Sequence, residues 1–244
     1  MRYLRELEIF FRGLLALVLI PLLTGLISLI ALLLVFLAGW SGERLQFLPR
    51  WWGRLICRLV GVRVEIDGLA RLDRNRPYIF AANHQSQFDI FVVQGHLGFD
   101  FRWLAKKELF AIPVFGAAMR RAGYIPVDRS HGRRALASLN EAAERIAAGT
   151  SVIIFPEGTR SPDGRLQSFK AGAMVLAIKA GVAVVPMAIS GTHEIMPKGR
   201  LLARPGLVTI RLGEPIDISA YNLKQKQDLA ELLESRVREL LAVP

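Results

Sequence analysis

Two short blocks of this sequence hold residue types that do chemistry rather than packing. The first is Asn83-His84-Gln85-Ser86-Gln87-Phe88-Asp89, which directly follows the apolar run Tyr78–Ala82 and precedes the helix-like stretch Ile90–Leu97. A strand-to-helix turn folds back on itself, so His84 and Asp89 can meet across it. The carboxylate then holds one ring nitrogen, fixes the tautomer and leaves the other nitrogen as a general base. The second block is Phe155-Pro156-Glu157-Gly158-Thr159-Arg160-Ser161, after another apolar run, Val152–Phe155. Arg160 offers a planar guanidinium suited to phosphate, and Thr159 and Ser161 add hydroxyl donors. Gly158 permits close backbone approach or an unusual dihedral. Glu157 is the awkward member, because a carboxylate repels phosphate; its expected job is to hold Arg160 or a substrate hydroxyl.

The motifs that are missing narrow the chemistry further. No G-x-S-x-G elbow supplies a serine nucleophile, no H-E-x-x-H or Cys/His cluster marks a metal, and no P-loop or G-x-G-x-x-G marks a nucleotide. A base without its own nucleophile suits a reaction in which the substrate brings the attacking hydroxyl. His96, His131 and His193 lack comparable surroundings and read as structural or surface residues. Cys57, the single cysteine, can make no internal disulfide and reads as a small buried hydrophobe in Leu55-Ile56-Cys57.

Both blocks need strands to present them, and the sequence supplies candidates. Val62–Ile66, Tyr78–Ala82, Phe101–Ala105, Tyr124–Val127, Val152–Phe155, Val182–Ile189 and Leu207–Leu212 are short runs rich in Val, Ile and aromatics, bounded by Gly, Pro, Asn or Asp. Between them, Leu136, Leu139, Ala143 and Ile146 keep helical spacing, as do Ala171, Met174, Val175 and Ile178, with Gly149 and Gly181 at the stops. A last helix carries Leu229, Leu232, Leu233, Val237, Leu240 and Leu241. The alternation predicts one α/β domain, residues 59–244, built on a single mixed sheet with flanking helices. The catalytic blocks then sit at strand ends, where such folds gather their sites.

Ahead of it, residues 1–58 are of another kind. The chain is 52% hydrophobic with a mean hydropathy of +0.33, and the excess is concentrated between Gly13 and Gly42, where no side chain is charged. That run is too long for a signal peptide and ends without an A-x-A site, so it reads as a retained, membrane-embedded helical segment. As one helix Gly13–Trp40 would extend about 42 Å, about 12 Å more than a bilayer core. Pro21 and Gly25 fall near its middle. Arg2, Arg5 and Arg12 precede it and Arg44, Arg50, Arg54 and Arg58 follow, so both flanks look cytoplasmic. A tilted, kinked span or a hairpin that enters and leaves by the same face would fit. The expectation is the second: a segment that dips into the membrane, bends and returns to the same face. Glu43–Arg58, with Phe47, Trp51 and Trp52 among its arginines, reads as an interfacial collar. The formal net charge of +11 favours an anionic partner. With no run of Lys and Arg interleaved with aromatics and no zinc-finger spacing, that partner is a phospholipid bilayer and a phosphorylated substrate, not nucleic acid.

Taken together, the blocks resemble motifs I and III of the glycerolipid acyltransferase family, the lysophosphatidate (1-acylglycerol-3-phosphate) O-acyltransferases. Ala105-Lys106-Lys107-Glu108-Leu109, Ile112-Pro113, Gly116 and Arg121-Ala122-Gly123-Tyr124-Ile125-Pro126-Val127-Asp128-Arg129 resemble that family's region around motif II, and Val184-Val185-Pro186-Met187-Ala188 resembles motif IV. The departures are small: Tyr124-Ile125-Pro126 stands where an Ile-Phe-type pair is frequent, and Met187 where Val is frequent. The resemblance implies acyl transfer from acyl-CoA or acyl-carrier protein as co-substrate to the sn-2 hydroxyl of lysophosphatidic acid, giving phosphatidic acid, without a metal or other cofactor. As the alternative it implies another lysolipid or glycerol 3-phosphate as acceptor. It implies His84 as general base, Asp89 orienting it, and Glu157, Gly158, Thr159 and Arg160 on the substrate headgroup, with Lys106 and Arg121 adding positive charge. It also implies a catalytic domain on the cytoplasmic face of the cell membrane.

Overall fold

The computed structural model describes residues 2–128 and 133–243, so Arg129 and His131 lie outside the described residues. Within these the expected strands form one sheet: β1 (Val62–Asp67), β2 (Ile79–Ala82), β3 (Arg102–Lys106), β4 (Ile125–Val127), β5 (Val152–Ile154), β6 (Val184–Ser190) and β7 (Gly206–Leu212). Their order is β1-β7-β6-β2-β5-β3-β4, and every neighbouring pair is parallel except β6 with β7. The central strands β2 and β5 are buried throughout, which is why their sequences are unbroken apolar runs. Side chains alternate between two cores, Phe80 and Ala82 entering one and Ile79 and Ala81 the other.

Helices cover both faces. On the first, α2 (Phe47–Val60) contributes Ile56, Cys57 and Val60, and α3 (Phe88–His96) contributes Phe88, Phe91, Val92 and Val93. On the second lie α5 (Arg133–Ala147), α6 (Ala171–Ala180) and α8 (Lys226–Ala242), packing Ile146, Met174 and Leu233 among others. Two shorter helices, α4 (Phe115–Arg121) and α7 (Thr192–Ile195), follow β3 and β6. Cys57 is fully inside, and burial pushes its thiol up to about 12, as expected of an inert packing residue. A division of the chain after Arg58 cuts through α2, whose buried face is part of the α/β core. Helices α2 and α3 meet backbone to backbone: a Cβ on Gly53 would sit 2.6 Å from the Phe91 carbonyl oxygen, and one on Gly95 2.7 Å from the Arg54 nitrogen.

The N-terminal segment departs from expectation. It is one helix, α1 (Arg2–Ala38), running unbroken through Pro21 and Gly25 and not bent back as a hairpin. The reason lies in its inner stripe. Gly13 fits against Ala203, Ala16 joins the main core, and Ile27 and Ala31 pack with Leu45, Leu48 and Ala118. The Trp52 indole donates to Thr24 Oγ1 at 3.1 Å, and Phe36 lies under the Arg121 guanidinium. Supported along its length, the helix tolerates the donor that Pro21 lacks. Gln46 pins the turn after it, donating to the carbonyls of Gly42 (3.1 Å) and Ala122 (2.9 Å).

Candidate active site

Because β6, β2, β5 and β3 run parallel, their C-terminal ends share one edge of the sheet, and the loops leaving them converge there. Asn83 begins the loop after β2 by acting as one more rung of the ladder. Its amide donates to the Ile189 carbonyl at 2.8 Å and accepts from the Ile189 nitrogen at 2.7 Å, pinning β2 to β6. The chain then turns sharply. Asp89, in the first turn of α3 and fully buried, accepts from the backbone nitrogens of Gln85 (2.8 Å) and Ser86 (3.0 Å) through Oδ2. The same oxygen accepts from His84 Nδ1 at 2.7 Å. An ionised carboxylate only accepts, so Nδ1 carries the proton and Nε2 is left with a free lone pair. The meeting expected from the spacing is the one found.

His84 is held on every side by the loop after β5. Its backbone nitrogen donates to Glu157 Oε1 at 2.7 Å, and its carbonyl accepts from the Ser161 nitrogen at 2.7 Å. The Phe155 ring stacks on the imidazole at 4.0 Å and 12°, so the ring cannot turn away from Asp89. Glu157 therefore does not hold Arg160, as expected from sequence. It is buried, its second oxygen accepts from Gln167 Nε2 at 2.8 Å, and it braces the turn that carries His84. Burial pushes its carboxyl above the usual range, against the lowering effect of the bonds from His84 and Gln167.

Beside His84 opens a cavity of about 490 Å³. Ile20, Ile27 and Ala31 of α1 and Trp52 of α2 line it, as do Trp103, Leu104 and Lys106 of β3. It is mostly apolar and lies between α1 and the α/β domain, with His84, Gln87, Gln94 and Lys106 among the polar residues of its wall. Its size is that of a ligand pocket, and its character suits an alkyl chain.

The other residues singled out in the sequence divide. Gly158 adopts a left-handed φ of +76°, Thr159 is exposed, and Arg160 makes no ion pair with a carboxylate among the described residues, so its guanidinium is available. Lys106 is exposed at the cavity wall, 3.8 Å from Glu108. Arg121 is not brought into this group: it ends α4, stacked 5.3 Å from the Phe36 ring, and does not line the cavity. His96 bonds the Val92 carbonyl at 3.1 Å and, through burial, has its pKa lowered; His193 packs beside Gly164. Neither touches His84. Gln167 and the lysines Lys170 and Lys198 lacked a signal of their own in the sequence, and Phe155, which opens the second block, was given no role there.

Comparison with known proteins agrees with this geometry. The sequence model of a family described as Acyltransferase matches residues 63–190. A chloroplastic 1-acyl-sn-glycerol-3-phosphate acyltransferase of Arabidopsis thaliana is 38% identical over 71% of this chain and 49% of its own length. The chain thus spans about half of that relative. A lyso-ornithine lipid O-acyltransferase of Rhizobium meliloti (strain 1021) is 31% identical over 91% of this chain and 84% of its own length. Among solved structures, that of the 1-acyl-sn-glycerophosphate acyltransferase PlsC from Thermotoga maritima superposes with a TM-score of 0.69 at 30% identity, covering 91% of this chain and 95% of that one.

Proposed function

The chain belongs to the acyltransferase family, and from that premise we propose that it moves a fatty acyl chain from acyl-CoA or acyl-carrier protein to the sn-2 hydroxyl of lysophosphatidic acid, giving phosphatidic acid. The observation that carries the reading is the His84–Asp89 pair, 2.7 Å apart, standing without a nucleophile of its own at the wall of an apolar cavity. His84 Nε2 takes the proton from the glycerol hydroxyl as its oxygen attacks the thioester carbonyl. The tetrahedral intermediate collapses by breaking the C–S bond, and the same proton passes to the departing thiol. Asp89 keeps the imidazole in place and stabilises the imidazolium that forms between the two steps. The cavity takes an acyl chain, and Arg160 and Lys106 take the acceptor's phosphate. The relatives' names support lysophosphatidic acid as acceptor. A panel of lysophosphatidic acid, lyso-ornithine lipid and glycerol 3-phosphate, assayed by thiol release, tests this. Highest kcat/KM for lysophosphatidic acid is expected, and preference for either alternative would contradict it.

The membrane enters through α1. At 1.5 Å per residue its 37 residues extend about 55 Å. Its outer face exposes Phe10, Phe11, Leu22, Leu26 and Leu33. The inner face is docked on the domain from Gly13 to Phe36. A helix held at both ends by one domain lies along the bilayer surface, with its apolar face in one leaflet and the cavity between it and the catalytic turn. In this reading α1, one unbroken helix and not a segment folded back on itself, lies in the plane of the cytoplasmic face of the cell membrane. In sealed vesicles, with Cys57→Ser removing the native thiol, Ser41→Cys and a cysteine added near Arg2 should both react with an impermeant reagent from the side of the catalytic domain. Reaction from opposite sides would establish a crossing helix.

A further inference from the structure

We propose that Lys170 and Lys198 complete a phosphate-monoester site around Arg160, and that these two lysines set the preference for an acceptor with a terminal phosphate. The inference rests on the acceptor reading above. Lys170 lies over Gly158: a Cβ built on that glycine would meet Lys170 Nζ at 2.9 Å. Its backbone is fixed there, since Lys170 N donates to the Pro156 carbonyl at 3.0 Å. From the other side, Lys198 Nζ donates to the Arg160 carbonyl at 3.0 Å and stands 3.5 Å from Thr159 Oγ1. Lys170 and Lys198 thus flank the loop that carries Arg160 and whose bonds hold His84.

No carboxylate neutralises them. Among the described residues none of Arg160, Lys170 and Lys198 forms an ion pair. The acids on the same loop are committed elsewhere: Glu157 to His84 N and Gln167, Asp163 to the Ser161 hydroxyl, Arg165 N and the Arg165 side chain. Like charges brought together without counterions repel, and an anion between them removes the repulsion. A phosphate monoester carries about −1.5 to −2 charge near neutral pH and three terminal oxygens, against a single charge on a diester. Three positive charges on and beside one loop suit the monoester better than the diester.

The lysine from the far loop is also held at a defined depth. The segment 196–204 that carries it is tied to the catalytic turn, where Ser86 Oγ donates to the Met196 carbonyl at 2.7 Å, and to α1, where Ala203 packs on Ala16 and Gly13.

The test measures KM for Lys170→Gln, Lys198→Gln and Lys198→Arg in the full chain. Acceptors are lysophosphatidic acid and the phosphodiester lysophosphatidylglycerol; donors are acyl-CoA and a phosphate-free acyl-N-acetylcysteamine thioester. Each Gln variant should raise the KM for lysophosphatidic acid about tenfold with either donor, narrow its advantage over the phosphodiester, and leave the donor KM in place. Lys198→Arg should restore most of the loss. An unchanged KM for lysophosphatidic acid would overturn the proposal alone. A loss seen only with acyl-CoA would overturn it too, by assigning the lysines to the donor's phosphates. A wild-type protein that acylates lysophosphatidylglycerol and not lysophosphatidic acid would overturn the acceptor reading, and this proposal with it.

Discussion

Alanine in place of His84 is expected to lower turnover by at least about 10²–10⁴-fold, the usual worth of a positioned general base. The loss should fall on kcat, because Nε2 acts on the proton in flight and the acceptor phosphate is bound elsewhere. The variant should stay folded. Alanine loses the ring's contacts with Asp89 and Phe155 but keeps the backbone bonds to Glu157 Oε1 and the Ser161 nitrogen that hold the turn in place. Asp89→Asn should cost less. Its side-chain oxygen can still accept from His84 Nδ1, Gln85 N and Ser86 N, but the negative charge opposite the imidazolium is gone. A new amide group would then point where Oδ1 now lies buried without a partner among the described residues. Thiol release under saturating substrates measures both, with circular dichroism as the check on folding. Near-normal turnover by His84→Ala would remove the base from the mechanism.

Arg160→Ala should raise the KM for lysophosphatidic acid by about ten- to a hundredfold, since a charge-assisted hydrogen bond contributes roughly 1.5–3 kcal/mol. The guanidinium is spent on no carboxylate among the described residues, so its removal subtracts binding and breaks no internal ion pair. Lys106→Ala should act in the same direction and more weakly, because the ammonium is 57% exposed and is partly screened by Glu108. The donor KM separates the assignments: a rise in donor KM with an unchanged acceptor KM would move Arg160 to the donor's site.

Much of this site was legible because its parts are local. A strand, a turn and the first turn of a helix bring His84 to Asp89 whatever the remainder of the chain does, and the residue types state the chemistry. The strands were legible for a related reason: β2, β5 and β6 are buried on both faces and must be continuous apolar runs. What escaped was decided by contacts between distant segments. Glu157 looked like a partner for Arg160, its near neighbour in sequence, yet its oxygens face the His84 nitrogen and Gln167. Arg121 sits in a recognisable motif but is drawn to Phe36 of α1. Pro21 and Gly25 argued for a segment that turns back, and it is one helix, docked by its inner stripe, that runs unbroken through both. Lys198 reaches Arg160 only because β6 lies beside β2 in the sheet.

The central claim is that the acceptor's hydroxyl, activated by His84, attacks the thioester directly. It is tested by stoichiometry. Purified protein in lipid vesicles is mixed with excess acyl-CoA, with and without lysophosphatidic acid, and free thiol and phosphatidic acid are followed together. The account predicts no thiol release without the acceptor, and one thiol per phosphatidic acid from the first turnover onward when it is present. A burst of thiol equal to the enzyme concentration before any acceptor is added would reveal an acyl-enzyme and contradict it.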